Sequence, residues 1–227
     1  MTKVLMVVTN VGTYGDADRL TGLWLSELTH AYDVFSKAGY TIDVVSPKGG
    51  YVPLDPNSLA DMDDVSLAYY RNADFQNRIL GASLSPNQVT ASDYDIIYYT
   101  GGHGTMWDFP HSEALATIAS QIYDQGGIVS AVCHGVVGLL PIKDAAEKNL
   151  IADKEVTGFS NEEETKNGTQ DMVPFLAESA LREGGATVRV GKPFTSTVAS
   201  DHRVFTGQNP QSAKALAQAI VDYLAKA

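Results

Sequence analysis

The chain has 227 residues, 44% of them hydrophobic, enough to bury a substantial core, and a formal net charge of −11 that leaves no basic surface for a phosphate backbone. Nucleic acid is therefore excluded as an expected partner. With one cysteine the chain cannot build an intramolecular disulfide framework, so a reducing, cytoplasmic setting is expected, and no run approaches the roughly 18 apolar residues of a membrane helix.

In chain order, "KVLMVVTN" (3–10) reads as a first strand: it is too short, and closed too soon by Thr9-Asn10, for the apolar region of a signal peptide. Residues 20–38 carry apolar side chains at three- and four-residue spacing and predict a helix with a buried stripe of Leu20, Leu23, Trp24, Leu28, Ala31, Phe35 and Ala38. "YTIDVVSP" is a second strand. Residues 49–90 break the alternation with Pro, Asp and Asn and read as an insertion of loop and short helix near the functional site. "YDIIYYTGG" and "GGIVSAVCHG" are the third and fourth strands, separated by a helix over 112–125 opened by Ser112; "EVTGFS" and "ATVRV" are weaker strands. Further helices are expected over 174–183, opened by Pro174, and 210–225, introduced by Asn209-Pro210. Strands alternating with helices predict one α/β domain over residues 1–227. Its mostly parallel sheet would carry helices on both faces, with functional residues following the carboxyl ends of the strands.

The single cysteine sits at such an end. Ile128 to Val132 form a buried apolar run, "HGVVGLL" behind it has helical spacing closed by Pro141, and Cys133 lies at the junction. Ala131-x-Cys133-x-Gly135 has the layout of a nucleophile elbow, in which small residues let the chain turn sharply and hold the nucleophile up. A helix N-terminus and the adjacent His134 both favour a thiolate there. Taken alone, Cys133 also fits a small core hydrophobe, and an oxidisable sensor thiol needs the same environment as a nucleophile; the turn around it favours the reactive readings.

Glu27 falls within the predicted buried stripe. A carboxyl there is expected to be protonated or bound to a donor, its pKa raised by desolvation, unless it reaches solvent at the stripe's edge. In "YYTGGHGTMWDFP" the adjacent glycines let backbone amides approach a ligand, so Gly101 or Gly102 together with the His134 amide could hold an oxyanion. His103 and His111 read as surface or loop residues, because no His/Cys/Asp cluster has metal-ligand spacing, and no metal is expected. An acid to orient His134 is sought in "TGFSNEEETKNG", where Glu162, Glu163 and Glu164 adjoin; at least two of them should be a solvated helix start, and Asp171 is a further candidate.

These ordered motifs, "GLWLSEL", "GGHGTMWDFP", "AVCHG", "VTGFSNEEE" and "VFTGQNPQSA", span nearly the whole chain. Together they resemble the ThiJ/PfpI superfamily, which is class I glutamine amidotransferase-like, and within it the branch of chaperones and glutathione-independent glyoxalases III. The resemblance implies a flavodoxin-like sandwich and a homodimer. It implies Cys133 as nucleophile, Glu27 as a protonated acid touching its sulfur, His134 as general base and Glu164 as the orienting acid. The implied activity is cofactor-free conversion of methylglyoxal to lactate, with the oxyanion at Gly102 and His134; related members are described as protein deglycases acting on glycated proteins. Two rivals stand beside it. One is a holdase chaperone or redox-responsive stress protein with an oxidisable Cys133. The other is a Cys-dependent amidase or peptidase, for which an amidotransferase's downstream His-x-Glu is missing and His202 in "SDHRVF" reads as a turn.

Overall fold

The computed structural model describes residues 1–226. Its strands are β1 (Lys3–Val7), β2 (Thr41–Val45), β3 (Ile96–Tyr99), β4 (Ile128–Val132), β5 (Glu155–Val156), β6 (Thr187–Val188), β7 (Val198–Asp201) and β8 (Val204–Gly207). Its helices are α1 (Leu25–Lys37), α2 (Pro56–Ala60), α3 (Asp64–Tyr70), α4 (Thr105–Asp108), α5 (Glu113–Asp124), α6 (Asn161–Asn167), α7 (Ala177–Glu183) and α8 (Ala213–Leu224). The main sheet runs β2-β1-β3-β4-β8-β7, parallel throughout except for the antiparallel edge strand β7. This is the predicted flavodoxin-like α/β sandwich.

Alternate residues of the strands feed opposite apolar layers, so the central strands β1, β3 and β4 read as nearly continuous apolar runs. Val4 and Met6 of β1, with Val8 just beyond it, share a layer with Leu28 and Phe35 of α1 and Leu216 and Ile220 of α8. Leu5 and Val7 face the other way, into a layer with Leu115, Ile118 and Ile122 of α5. The chain reverses direction across the sheet between β1 and β3, and ligands in such folds bind beyond the carboxyl ends of the strands at that point.

Several predicted elements differ. Helix α1 starts at Leu25, not 20, because Leu20 and Leu23 lie in β-bridges with Thr13 and Leu54. Leu20 is thus 65% exposed, and Ala38, at the helix end, is also exposed. "EVTGFS" and "ATVRV" do form strands, but only two residues of each pair, as a separate β5-β6 ribbon. The fifth parallel strand is β8, entered through a hairpin whose tip is His202 in the left-handed region (φ 53°). The insertion 49–90 folds as α2, α3 and a π-helical turn, Phe75–Leu80, with Asp55 and Asp63 capping the two helices through Asn57 and Ser66 amides.

Behind Cys133 the expected helical segment is a 3-10 helix, Cys133–Leu139. It presses against the end of β3 so closely that a Cβ on Gly135 would stand 2.3 Å from the Thr100 carbonyl oxygen. Among the described residues no helix is long and apolar enough to cross a membrane. The close approach predicts that Gly135→Ala lowers the unfolding free energy by about 1–3 kcal/mol or more. Urea unfolding checks this; an unchanged midpoint would mean that the elbow yields freely.

Candidate active site

Cys133 occupies the left-handed region, φ 57°, a conformation that non-glycine residues adopt only when the surroundings impose it. The cause is the abrupt passage from β4 into the 3-10 helix, which keeps the side chain at the strand's end. Cys133 is 3% exposed, and its sulfur meets three groups: the His134 imidazole, the His134 backbone amide and the Glu27 carboxyl.

His134 stands with Nδ1 3.4 Å from Cys133 Sγ and Nε2 2.7 Å from Glu164 Oε2. With the Nε2–H donating to the carboxylate, Nδ1 is left to accept the thiol proton. Glu164 also accepts through Oε1 from His103 Nε2 at 2.8 Å and from the Thr169 hydroxyl. Burial alone would raise the Glu164 carboxyl, but the two imidazoles beside it outweigh this and hold it well below the usual range. Burial and the neighbouring His134 push His103 down to about 4, so His103 is a neutral donor at pH 7.

Glu27 is fully buried on α1. Its Oε2 accepts from the Gly101 amide at 2.6 Å, and the carboxyl touches the Cys133 thiol. Burial raises its pKa to about 8, so it retains its proton at neutral pH, while burial and any charge on Glu27 push the thiol upward. A protonated Glu27 removes that repulsion and supplies a donor to the sulfur. Tyr98 lies beneath the pair, fully buried and held neutral by the same desolvation.

These groups open on a cavity of about 190 Å³. Trp24, Phe159, Phe194 and Pro210 give it apolar walls, and Gly102, His103, Cys133 and His134 give it a polar end. Asp61 brings the 49–90 insertion to the rim. Gly102 has φ 99°, and a Cβ there would lie 2.2 Å from the Gly22 carbonyl oxygen, so only glycine fits the loop that brings it to the cavity.

The structure brings Cys133, His134, Glu27, Glu164 and Gly102 together and corrects other expectations. Gly101 is not available to an oxyanion, because its N–H is already bound by Glu27; the Gly102 amide has no protein acceptor among the described residues. Only Glu162 is solvated, paired with Lys166 at 3.2 Å. Glu163 and Glu164 are both buried, and Asp171 is exposed. His103 is no surface residue: it is 4% exposed, its ring centroid lies 4.0 Å from that of His134, and its pairing with Glu164 accounts for its burial. His111 is exposed as expected. His103, His134 and Glu164 offer ligand atoms within 4.8 Å of one another, the distance of a metal-binding group, drawn from a loop, the 3-10 helix and α6 rather than from one spaced motif. Both imidazole Nε2 atoms are engaged with Glu164, so a metal there would have to displace those hydrogen bonds.

The DJ-1/PfpI family model matches residues 21–223, and so takes in Glu27, the elbow and the Glu164 helix. The chain belongs to the DJ-1/PfpI family. Among its relatives, the glutathione-independent glyoxalase HSP31 of Saccharomyces cerevisiae is 33% identical, over 98% of each chain. The structure of the 24 kDa rapid encystment protein of Francisella tularensis superposes with a TM-score of 0.95 at 44% identity, covering 99% of each chain. That of glyoxalase III from Candida albicans gives 0.89 at 30% identity, covering 97% of this chain and 96% of that one.

Glu27 makes a pH-dependent contribution to stability. Its folded pKa, about 8, lies above the ordinary 4.5, so the folded state binds the extra proton and the contribution is fully present below about 4.5. It is lost as pH rises towards 8, by up to about 1.4 kcal/mol per pH unit. The wild type should therefore lose stability relative to Glu27→Gln between about pH 5 and about pH 9, measured by denaturant titration. A constant difference would show that Glu27 is already ionised throughout.

Proposed function

We propose that this protein is a glutathione-independent glyoxalase that converts methylglyoxal to lactate through a Cys133 adduct. The observation that carries the reading is the line Cys133 Sγ, His134, Glu164 at 3.4 and 2.7 Å, with a carboxyl that burial keeps protonated on the sulfur's other side. A cavity of about 190 Å³ suits a three-carbon dicarbonyl and is small beside the roughly 300–1,000 Å³ of sites for drug-sized ligands. A site of this size fits a reaction in which the protein, rather than a tripeptide thiol, supplies the sulfur. The glyoxalase names carried by relatives at about this level of identity support the same reading.

In this scheme His134 Nδ1 takes the thiol proton, and the thiolate adds to the aldehyde carbon. The resulting oxyanion is met by the Gly102 and His134 amides and is then protonated by the His134 imidazolium, giving a hemithioacetal. His134 next removes the hydrogen on that carbon while Glu27 protonates the neighbouring carbonyl oxygen, forming an enediol. Glu27 takes back the proton of the other enediol hydroxyl as His134 delivers its own to the second carbon, which leaves a lactoyl thioester on Cys133. Water, deprotonated by His134, hydrolyses that bond and returns the thiol. Glu164 keeps the imidazole in the tautomer with Nδ1 open and stabilises each imidazolium. Hydrogen moves between adjacent carbons with no external oxidant, so the reaction is of the lyase type, a D-lactate dehydratase when the second carbon is protonated on the corresponding face.

Methylglyoxal loss and lactate formation without added glutathione test the reading. Cys133→Ala should abolish turnover. Glu27→Gln and Glu164→Gln should lower kcat by about 10²–10⁴, the usual worth of a positioned acid or base. Full turnover in Cys133→Ala would rule out the covalent route.

A further inference from the structure

Glu163 is fully buried one residue before the acid that holds the catalytic histidine. Its carboxylate collects five donors. Oε2 accepts from the Ser160 amide at 3.0 Å, the Ser160 hydroxyl at 2.9 Å and Gln208 Nε2 at 3.0 Å. Oε1 accepts from Asn209 Nδ2 at 2.8 Å and from the backbone amide of Phe194 at 2.7 Å. The capping of α6 needs only the Ser160 side of this set. The rest ties down residues 191–197: Gln208 also binds the Gly191 amide at 2.7 Å, and Asn209 also binds the Thr195 carbonyl at 2.9 Å. The negative charge of Glu163 acts against the reaction, since it helps to push the Cys133 thiol up. A carboxylate kept there despite that effect has work to do on the loop.

What the loop carries is Phe194. Its φ of 56° lies in the left-handed region, which a phenylalanine adopts only when its amide and its neighbours are fixed. The ring lines the same cavity as Cys133, lies 6.4 Å from the Phe159 ring and remains 42% exposed. It is therefore part wall and part rim, a large apolar side chain that both lines the cavity holding the thiol and meets solvent. Flexible loops do not hold an aromatic ring in a disfavoured backbone conformation; a buried carboxylate with five donors does.

The structure assigns Phe194 as the specificity-determining wall of the site, fixed by Glu163 as its positioning residue, which admits short aliphatic 2-oxoaldehydes and excludes aryl or branched ones. The assignment rests on the glyoxalase reading for its substrate class, but the exclusion itself is a property of access to Cys133.

Two readouts separate these parts. The first is kcat/KM for methylglyoxal and for phenylglyoxal in the wild type, Phe194→Ala and Glu163→Gln. Phe194→Ala should raise the phenylglyoxal-to-methylglyoxal ratio by about tenfold or more, the effect of removing a large steric wall. In Glu163→Gln, where the ring remains but its tether weakens, the shift should run the same way and be smaller, through KM more than kcat. The second is the alkylation rate of Cys133, the sole thiol, by iodoacetamide and by N-phenylmaleimide, followed by intact mass. Phe194→Ala should speed the bulky reagent several-fold more than the small one. Unchanged ratios in both readouts for Phe194→Ala, with the variant folded, would overturn the assignment. A shifted alkylation ratio in a protein that turns over neither dicarbonyl would leave the wall standing and refute the glyoxalase reading instead.

Discussion

Everything at the site depends on the backbone of Cys133 being held at φ 57°. A left-handed L-residue costs roughly 1–2 kcal/mol, and the fold imposes it by two means. The parallel pairing of β4 with β3 and β8 fixes the strand up to Val132, and the 3-10 helix that follows is pressed on the end of β3 at Gly135. Between these two fixed bodies the chain has one residue in which to turn. That residue's side chain is consequently held at the strand's end, where α1, the Gly101-Gly102 loop and the start of α6 converge.

Three buried glutamates surround this point, and their environments give them three different uses. Glu27 has one amide donor and a thiol in an otherwise apolar layer, so desolvation prevails and it keeps its proton. Glu164 sits between two imidazoles and a hydroxyl, so its charge is held in place. Glu163 receives five donors and faces no imidazole, so it serves as an anchor for surrounding backbone and amide groups. Identical side chains thus divide into acid, orienter and anchor through what each is packed against, which is how one fold can run acid and base chemistry side by side.

The sheet and the elbow were legible in the sequence because buried parallel strands write themselves as continuous apolar runs, and because a small-x-Cys-x-Gly turn has few other uses. Glu27 was legible as an acid inside an apolar stripe, although Leu20 and Ala38 at the stripe's ends proved exposed. The hairpin of β7 and β8 was not, since four-residue strands split only by His202 and Arg203 have no sustained period. His103 was misread because its burial rests on a carboxylate 61 residues away, which no local pattern records. Glu163 and Glu164 were hidden in an acidic run that looks like a solvated helix start, and their donors come from the 191–197 loop, the end of β8, the His103 loop and the 3-10 helix bearing His134. Phe194 stands in "GKPFTSTV", where neither composition nor spacing sets one aromatic residue apart.

The central claim is that carbon is bound to the Cys133 sulfur during turnover. Intact-mass spectrometry of the protein, acid-quenched during steady-state turnover of methylglyoxal, tests it most directly. The account predicts a single added methylglyoxal mass, mapped to the peptide bearing Cys133, released by hydroxylamine as a thioester is, and missing from Cys133→Ala. Sustained lactate formation with Cys133 unmodified at every quench time would contradict it.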